Sequence, residues 1–110
     1  MSRAANDVFR ERTRQQAEEG FTTQHDDEHD PGELSGAGVA YAIHAACELH
    51  PISDGLDFDE DPPDIWLWEK GWWKPGDPRS NLVKAAALII AEIEKIDWSN
   101  EQEATKTNKV

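Results

Sequence analysis

The chain has 110 residues, a formal charge of −12, a sequence pI near 4.5 and one cysteine. This length fits one domain, and the acidity argues against a direct duplex nucleic-acid binder, which needs Lys and Arg to neutralise phosphates. Cys47 alone excludes an internal disulfide and a multi-cysteine zinc site; no apolar run approaches the roughly 18 residues of a membrane span, so a soluble, cytoplasmic protein is expected.

Residues from about 6 to 19 are good helix formers, and Gly20 stands where a helix C-terminus is expected. The apolar residues here are few, chiefly Val8, Phe9 and Ala17, so this helix is expected to bury a narrow stripe. Its Arg10, Arg12 and Arg14 are expected on a solvated face, with Arg14 and Glu18 at i,i+4 spacing.

Next comes His25-Asp26-Asp27-Glu28-His29-Asp30. His25 and His29 have the i,i+4 spacing that presents two imidazoles to zinc on a helix. A helix through them would have to continue across Pro31-Gly32, where the sequence signals a new start, so a loop position is predicted. There, Asp26, Asp27, Glu28 and Asp30 can offer oxygens to magnesium or manganese. A divalent-cation site (Mg, Mn or Zn) and a hydrogen-bonded capping loop both remain open.

Asp30-Pro31-Gly32-Glu33 reads as N-cap, proline at the first helical position, and a glutamate able to reach back to the cap. A second helix is predicted over 31–49. Its body is rich in Gly and Ala, and Gly36 and Gly38 each cost about 1 kcal/mol relative to alanine. A close approach by another backbone is the predicted offset. His44 and Glu48 are i,i+4, with Cys47 and His50 nearby. Since no oxyanion-hole signature accompanies a Cys/His pair, a buried histidine bonded to backbone or carboxylate, beside a small buried cysteine, is expected.

Residues 50–77 form a long irregular connection rich in Pro, Gly, Asp and Trp. Loops of this length are usually functional or packed by their own side chains. Trp66, Trp68, Trp72, Trp73 and Lys74 make a candidate binding surface, because tryptophan is enriched at binding hot spots. Packing over the core is the competing reading. Asp77-Pro78 repeats the cap-and-proline signal, and a third helix is predicted over 79–97. From Ala85 to Ala91 its apolar residues cover every side, as in a helix buried on most faces. Residues 101–110 are polar and unpatterned, and a disordered tail is expected.

The predicted fold is therefore mainly α: a small three-helix domain of residues 1–100, with a long Trp/Pro-rich irregular loop packed on the helices. A core of this size is commonly marginal alone, which places a second copy of the chain among the candidate partners.

Glu94-Lys95-Ile96-Asp97 is a Glu-x-x-Asp step resembling that of all-helical MazG-type nucleotide pyrophosphohydrolases, which hold magnesium over a triphosphate. Glu33 and Glu48 do not supply the matching Glu-x-x-Glu step. The corresponding candidate metal set is His25, Asp26, Asp27, His29, Glu33, Glu94 and Asp97.

Taken together, Glu11-Arg12-Thr13-Arg14-Gln15, Glu19-Gly20-Phe21-Thr22, the histidine tract, Gly32-Glu33-Leu34, Tyr41-Ala42, Trp66-Leu67-Trp68, Trp72-Trp73-Lys74-Pro75 and the stretch from Leu82 to Glu94 resemble a group of small phage and prophage proteins. Leu67 departs from that pattern, where proline is expected, and this bears on the local loop shape. The resemblance implies a phage accessory gene product and brings no assigned activity or catalytic residue. The favoured expectation is a protein that binds a host or phage protein through an acidic, tryptophan-containing surface, in an inhibitory or anti-defence role. A metal-dependent nucleotide pyrophosphohydrolase and a phage structural or assembly component are the alternatives.

Overall fold

A computed structural model describes residues 2–18, 30–50 and 58–107. The architecture is mainly helical, with α1 (Arg3–Glu18), α2 (Glu33–Leu49) and α3 (Pro78–Thr107), and residues 58–77, ahead of α3, are irregular apart from a 3-10 turn, Lys70–Trp72. The tract 25–29 lies outside the described residues. No helix among the described residues is long and apolar enough to cross a membrane.

Three boundaries differ from the sequence expectation. α1 begins at Arg3 rather than near residue 6, because Ser2 caps it: the Ala5 N–H donates to Ser2 Oγ at 3.1 Å. α2 begins at Glu33, not Pro31, and Asp30 is not its N-cap. Gly32 takes that position in the left-handed region, φ 91°, with no side-chain cap bond. The tertiary fold overrides the local signal here, since Ser35 N–H and Oγ both donate to Glu92 of α3, at 3.3 and 2.9 Å. Finally, α3 continues to Thr107, so residues 101–107 are helical rather than part of a disordered tail. The sequence there has no apolar period, yet extending an existing helix fixes only one residue per hydrogen bond. The predicted start of α3 holds: Pro78 opens it, and the Ser80 N–H donates to Asp77 Oδ1 at 2.7 Å.

α3 is the central element; α1 and α2 each pack against it and not against each other. Contact with α2 is close because the facing residues are small. Gly38, Ala37 and Ala40 meet Ala85, Leu88 and Ala91, and a Cβ on Gly38 would lie 3.0 Å from the Ala85 carbonyl oxygen. At Gly36 the same added atom would stand 3.3 Å from the Ile65 carbonyl. The two helix-weakening glycines thus serve the close backbone approach expected of them.

α1 is held differently. Its buried residues are Arg12 and Gln15, while Phe9 is exposed, so its inner stripe is polar and Arg12 does not lie on a solvated face. Arg12 Nε reaches Glu94 Oε1 of α3 at 2.8 Å, and Arg79 pairs with Asp7 at 2.9 Å.

Gly38→Val should destabilise the fold by about 1–3 kcal/mol in urea denaturation, because an overpacked side chain meets backbone that cannot swing aside. Valine at an exposed α3 position such as Ser99 should change stability by well under about 1 kcal/mol. Equal effects at the two sites would contradict the close-contact account.

Candidate functional site: an aromatic pocket between the outer helices

Because α1 and α2 flank α3 without touching, a gap opens between them, and residues 58–77 cover it. Turns shape this cover: Trp66 N–H donates to the Pro63 carbonyl at 2.9 Å, and Trp73 N–H to the Lys70 carbonyl at 3.0 Å. At its far end, fully buried Asn81 binds Gly76 twice, accepting from its N–H at 2.7 Å and donating to its carbonyl at 3.0 Å.

Tyr41 of α2 is the anchor. Trp73 stacks on it with centroids 4.6 Å apart, and Trp66 meets it edge-on at 5.6 Å. The indoles also find hydrogen-bond partners, as buried tryptophans usually do. Trp66 Nε1 donates to the Glu69 carbonyl at 3.1 Å and Trp73 Nε1 to the Phe58 carbonyl at 2.6 Å. The Tyr41 hydroxyl accepts from the Lys74 N–H at 3.2 Å.

The tryptophans consequently divide into two classes. Trp66 and Trp73 are 8 % and 6 % exposed and belong to the core, Trp66 with one side on the pocket. Trp68 is half-buried against Trp66, whereas Trp72 is 52 % exposed, with Leu67, Ile65 and Lys74 also at the surface. The sequence carried little to separate them, because both members of the Trp72-Trp73 pair are equally apolar.

Trp66, Trp68 and Trp72 wall a cavity of about 180 Å³ whose other sides come from Tyr41, Leu88, α1 and two lysines. A dry cavity of about 150 Å³ can take a benzene ring, so the space suits one aromatic side chain or a small planar group. On the α1 side, Arg14 holds Glu11 through two bonds of 2.8 and 2.7 Å and reaches Glu18 at 3.0 Å. Lys84 lies over the Tyr41 ring, 5.4 Å from its centroid, and donates to the Lys74 carbonyl at 2.6 Å. Gln15 Nε2 donates to Glu11 at 3.1 Å, leaving its buried Oε1 without a partner. Glu11 and Gln15 belong to the Glu11-Arg12-Thr13-Arg14-Gln15 motif, but nothing in a polar helix marks them as pocket-lining.

The candidate metal ligands are not assembled among the described residues. Glu92 and Glu94, two positions apart, lie on opposing sides of a helix with 3.6 residues per turn: Glu92 faces Ser35 and Glu94 faces Arg12. Glu33 Oε2 lies 3.5 Å from Trp68 Nε1, and Asp97 is exposed. His25, Asp26, Asp27 and His29 fall outside the described residues. The group of three or more potential ligands found among those described is instead His44, Glu48 and Asp59. His44 is fully buried and bonded to carboxylate, as expected, while Cys47 is half-buried.

No protein-family model, curated protein or solved structure matches this chain.

Glu11 gives the site a pH signature. Burial pushes its carboxyl up, but Arg14, Gln15 and Lys84 outweigh burial and hold it below its ordinary value of 4.5. A carboxyl with a depressed folded-state value contributes stability that is present above the unfolded value and lost as pH falls through the folded one. Urea unfolding between about pH 6 and pH 3 should therefore show stability falling below about pH 4.5, with a shallower fall for Glu11→Gln. An unchanged slope in that variant would remove Glu11 from the account.

Proposed function

We propose that this is a phage-type accessory protein that binds a host or phage protein through the acidic, tryptophan-edged face around the pocket. The observation that carries this reading is the exposure of Trp72 at a cavity that it walls together with Trp66 and Trp68. An exposed aromatic beside a concave, largely preformed pocket is the arrangement in which binding energy concentrates. On the same irregular segment Glu60, Asp61, Asp64 and Glu69 are exposed, supplying an acidic field suited to a basic partner. The phage assignment rests on the motif resemblance. An inhibitory or anti-defence role follows from the partner's own activity being blocked by occupancy.

Trp72→Ala should leave the fold intact and weaken capture of the partner by about tenfold or more, the loss typical of an aromatic anchor. Trp73→Ala should instead destabilise the protein by about 3–5 kcal/mol, because it empties part of the core. Raising ionic strength from about 0.1 M to about 1 M should weaken capture, as screening shortens the reach of the acidic field. Binding that survives both high salt and Trp72→Ala would defeat the proposal.

A second copy of the chain is a further partner on this reading. Leu82, Ile89, Ile93 and Ile96 are 40–52 % exposed and recur at i, i+7, i+11 and i+14, leaving an apolar stripe along α3. Sedimentation equilibrium should detect self-association that Ile89→Glu with Ile93→Glu removes. A monomer at every concentration tested would end this part of the proposal.

A further inference from the structure

Away from the pocket, α2 and the first turn of the covering segment bring three donor atoms together. His44 is fully buried, its ring 6.0 Å from the rings of both Phe58 and Trp73, which fixes its position. Nε2 points outward and lies 2.7 Å from Glu48 Oε1 and 2.9 Å from Asp59 Oδ1. All three donor atoms fall within 4.8 Å of one another. Nδ1 is buried without a partner, so the imidazole's polar contacts run through the nitrogen aimed at the two carboxylates.

Such a cluster is poorly served by a proton. One Nε2–H points along one line and satisfies one carboxylate well, while two carboxylates bring twice the charge that an imidazolium can offset. Nor does the rest of the molecule supply the difference, since the chain carries −12 overall. A doubly charged cation on a neutral imidazole would balance both carboxylates.

We infer that His44, Glu48 and Asp59 bind one divalent transition-metal ion of the zinc class. The donor set selects that class, because magnesium and calcium favour all-oxygen shells whereas imidazole nitrogen with carboxylate suits zinc and its neighbours. Ligands around tetrahedral zinc stand roughly 3.4 Å apart. The Glu48 and Asp59 oxygens must therefore retreat by roughly 0.7 and 0.5 Å, which their exposed ends permit, and solvent on their open side can complete the shell. The i,i+4 step places Glu48 one turn from His44 on the same face of α2, and Asp59 arrives from a separate element. The ion would thus fasten the start of the covering segment to α2. Phe58, next to Asp59, is where Trp73 Nε1 is hydrogen-bonded, so the fastening reaches the aromatic core directly.

The test is calorimetric titration of zinc into protein purified without an affinity tag, with cobalt(II) absorption as a ligand-sensitive second readout and magnesium as the comparison ion. Wild type and the His25→Ala/His29→Ala double variant should each bind about one zinc per chain at this site, and magnesium should bind far more weakly. Glu48→Gln and Asp59→Asn, both exposed, should keep the helical circular dichroism of wild type. Each should weaken zinc binding by more than about tenfold, since even outer-shell partners of metal ligands cost about 10–100-fold. His44→Ala should abolish the cobalt band, and the two carboxylate variants keep the test decisive if that variant fails to fold. Absence of zinc binding by wild type, or binding that the double histidine variant loses and Glu48→Gln and Asp59→Asn retain, overturns the inference.

Discussion

Tyr41 is the contact on which the arrangement depends. The small residues that draw α2 onto α3 remove volume from the core, and the first large buried side chain of α2 beyond Gly38 is Tyr41. It projects into the gap that α1 and α2 leave over α3. Only flat, bulky groups can fill that gap from a segment without regular structure, because such a segment must also satisfy its own backbone. Trp66 and Trp73 meet both requirements: their rings pack on Tyr41, while their indole N–H groups bind carbonyls of the segment itself. Tryptophan thereby supplies buried area that the short side chains of α2 and α3 could not, and it holds the covering segment in one shape.

The attachment of α1 follows a different principle. With little apolar surface to bury, it joins α3 through Arg12 to Glu94 and Asp7 to Arg79. Arg12 is nearly inaccessible, with a side-chain exposure of 6 % against 42 % for Glu94. An ion pair of this kind gains little net stability, because desolvation offsets the Coulomb attraction, but removing one partner strands a buried charge. It therefore specifies where α1 lies more than it strengthens the fold. The wall that α1 contributes to the pocket inherits this dependence, since Glu11, Arg14 and Gln15 lie on the same helix as Arg12.

The helical class, the small-residue contact and the capped start of α3 were legible because each rests on local chemistry: an apolar run, two glycines, Asp77 before Pro78. The failures fall where distant residues decide. Asp30-Pro31-Gly32-Glu33 carries a complete helix-start signal, yet Glu92, far along the chain, occupies the first turn and Gly32 becomes the cap. Arg12 resembles its neighbours Arg10 and Arg14 until Glu94 is placed opposite it. Trp72 and Trp73 differ only in which way a 3-10 turn directs them. The union of His44 and Glu48 with Asp59 depends on a loop path that no periodicity encodes.

The distribution of charge bears on how the proposed partner would be met. Arg12, Arg14, Arg79 and Lys70 are all engaged with carboxylates of the same chain, while Lys84 is turned inward over Tyr41. Much of the basic complement is thus paired within the chain, and the acidic excess lies at the surface, densely on the segment beside Trp72. On the proposed reading these features act at different stages. A long-range negative field accelerates encounter and fades within about 8 Å at physiological salt. Trp72 acts once surfaces touch, where burial of an aromatic side chain slows departure. A partner selected by this surface would need positive charge around an apolar or aromatic feature small enough for one ring-sized pocket, a narrower requirement than acidity alone imposes.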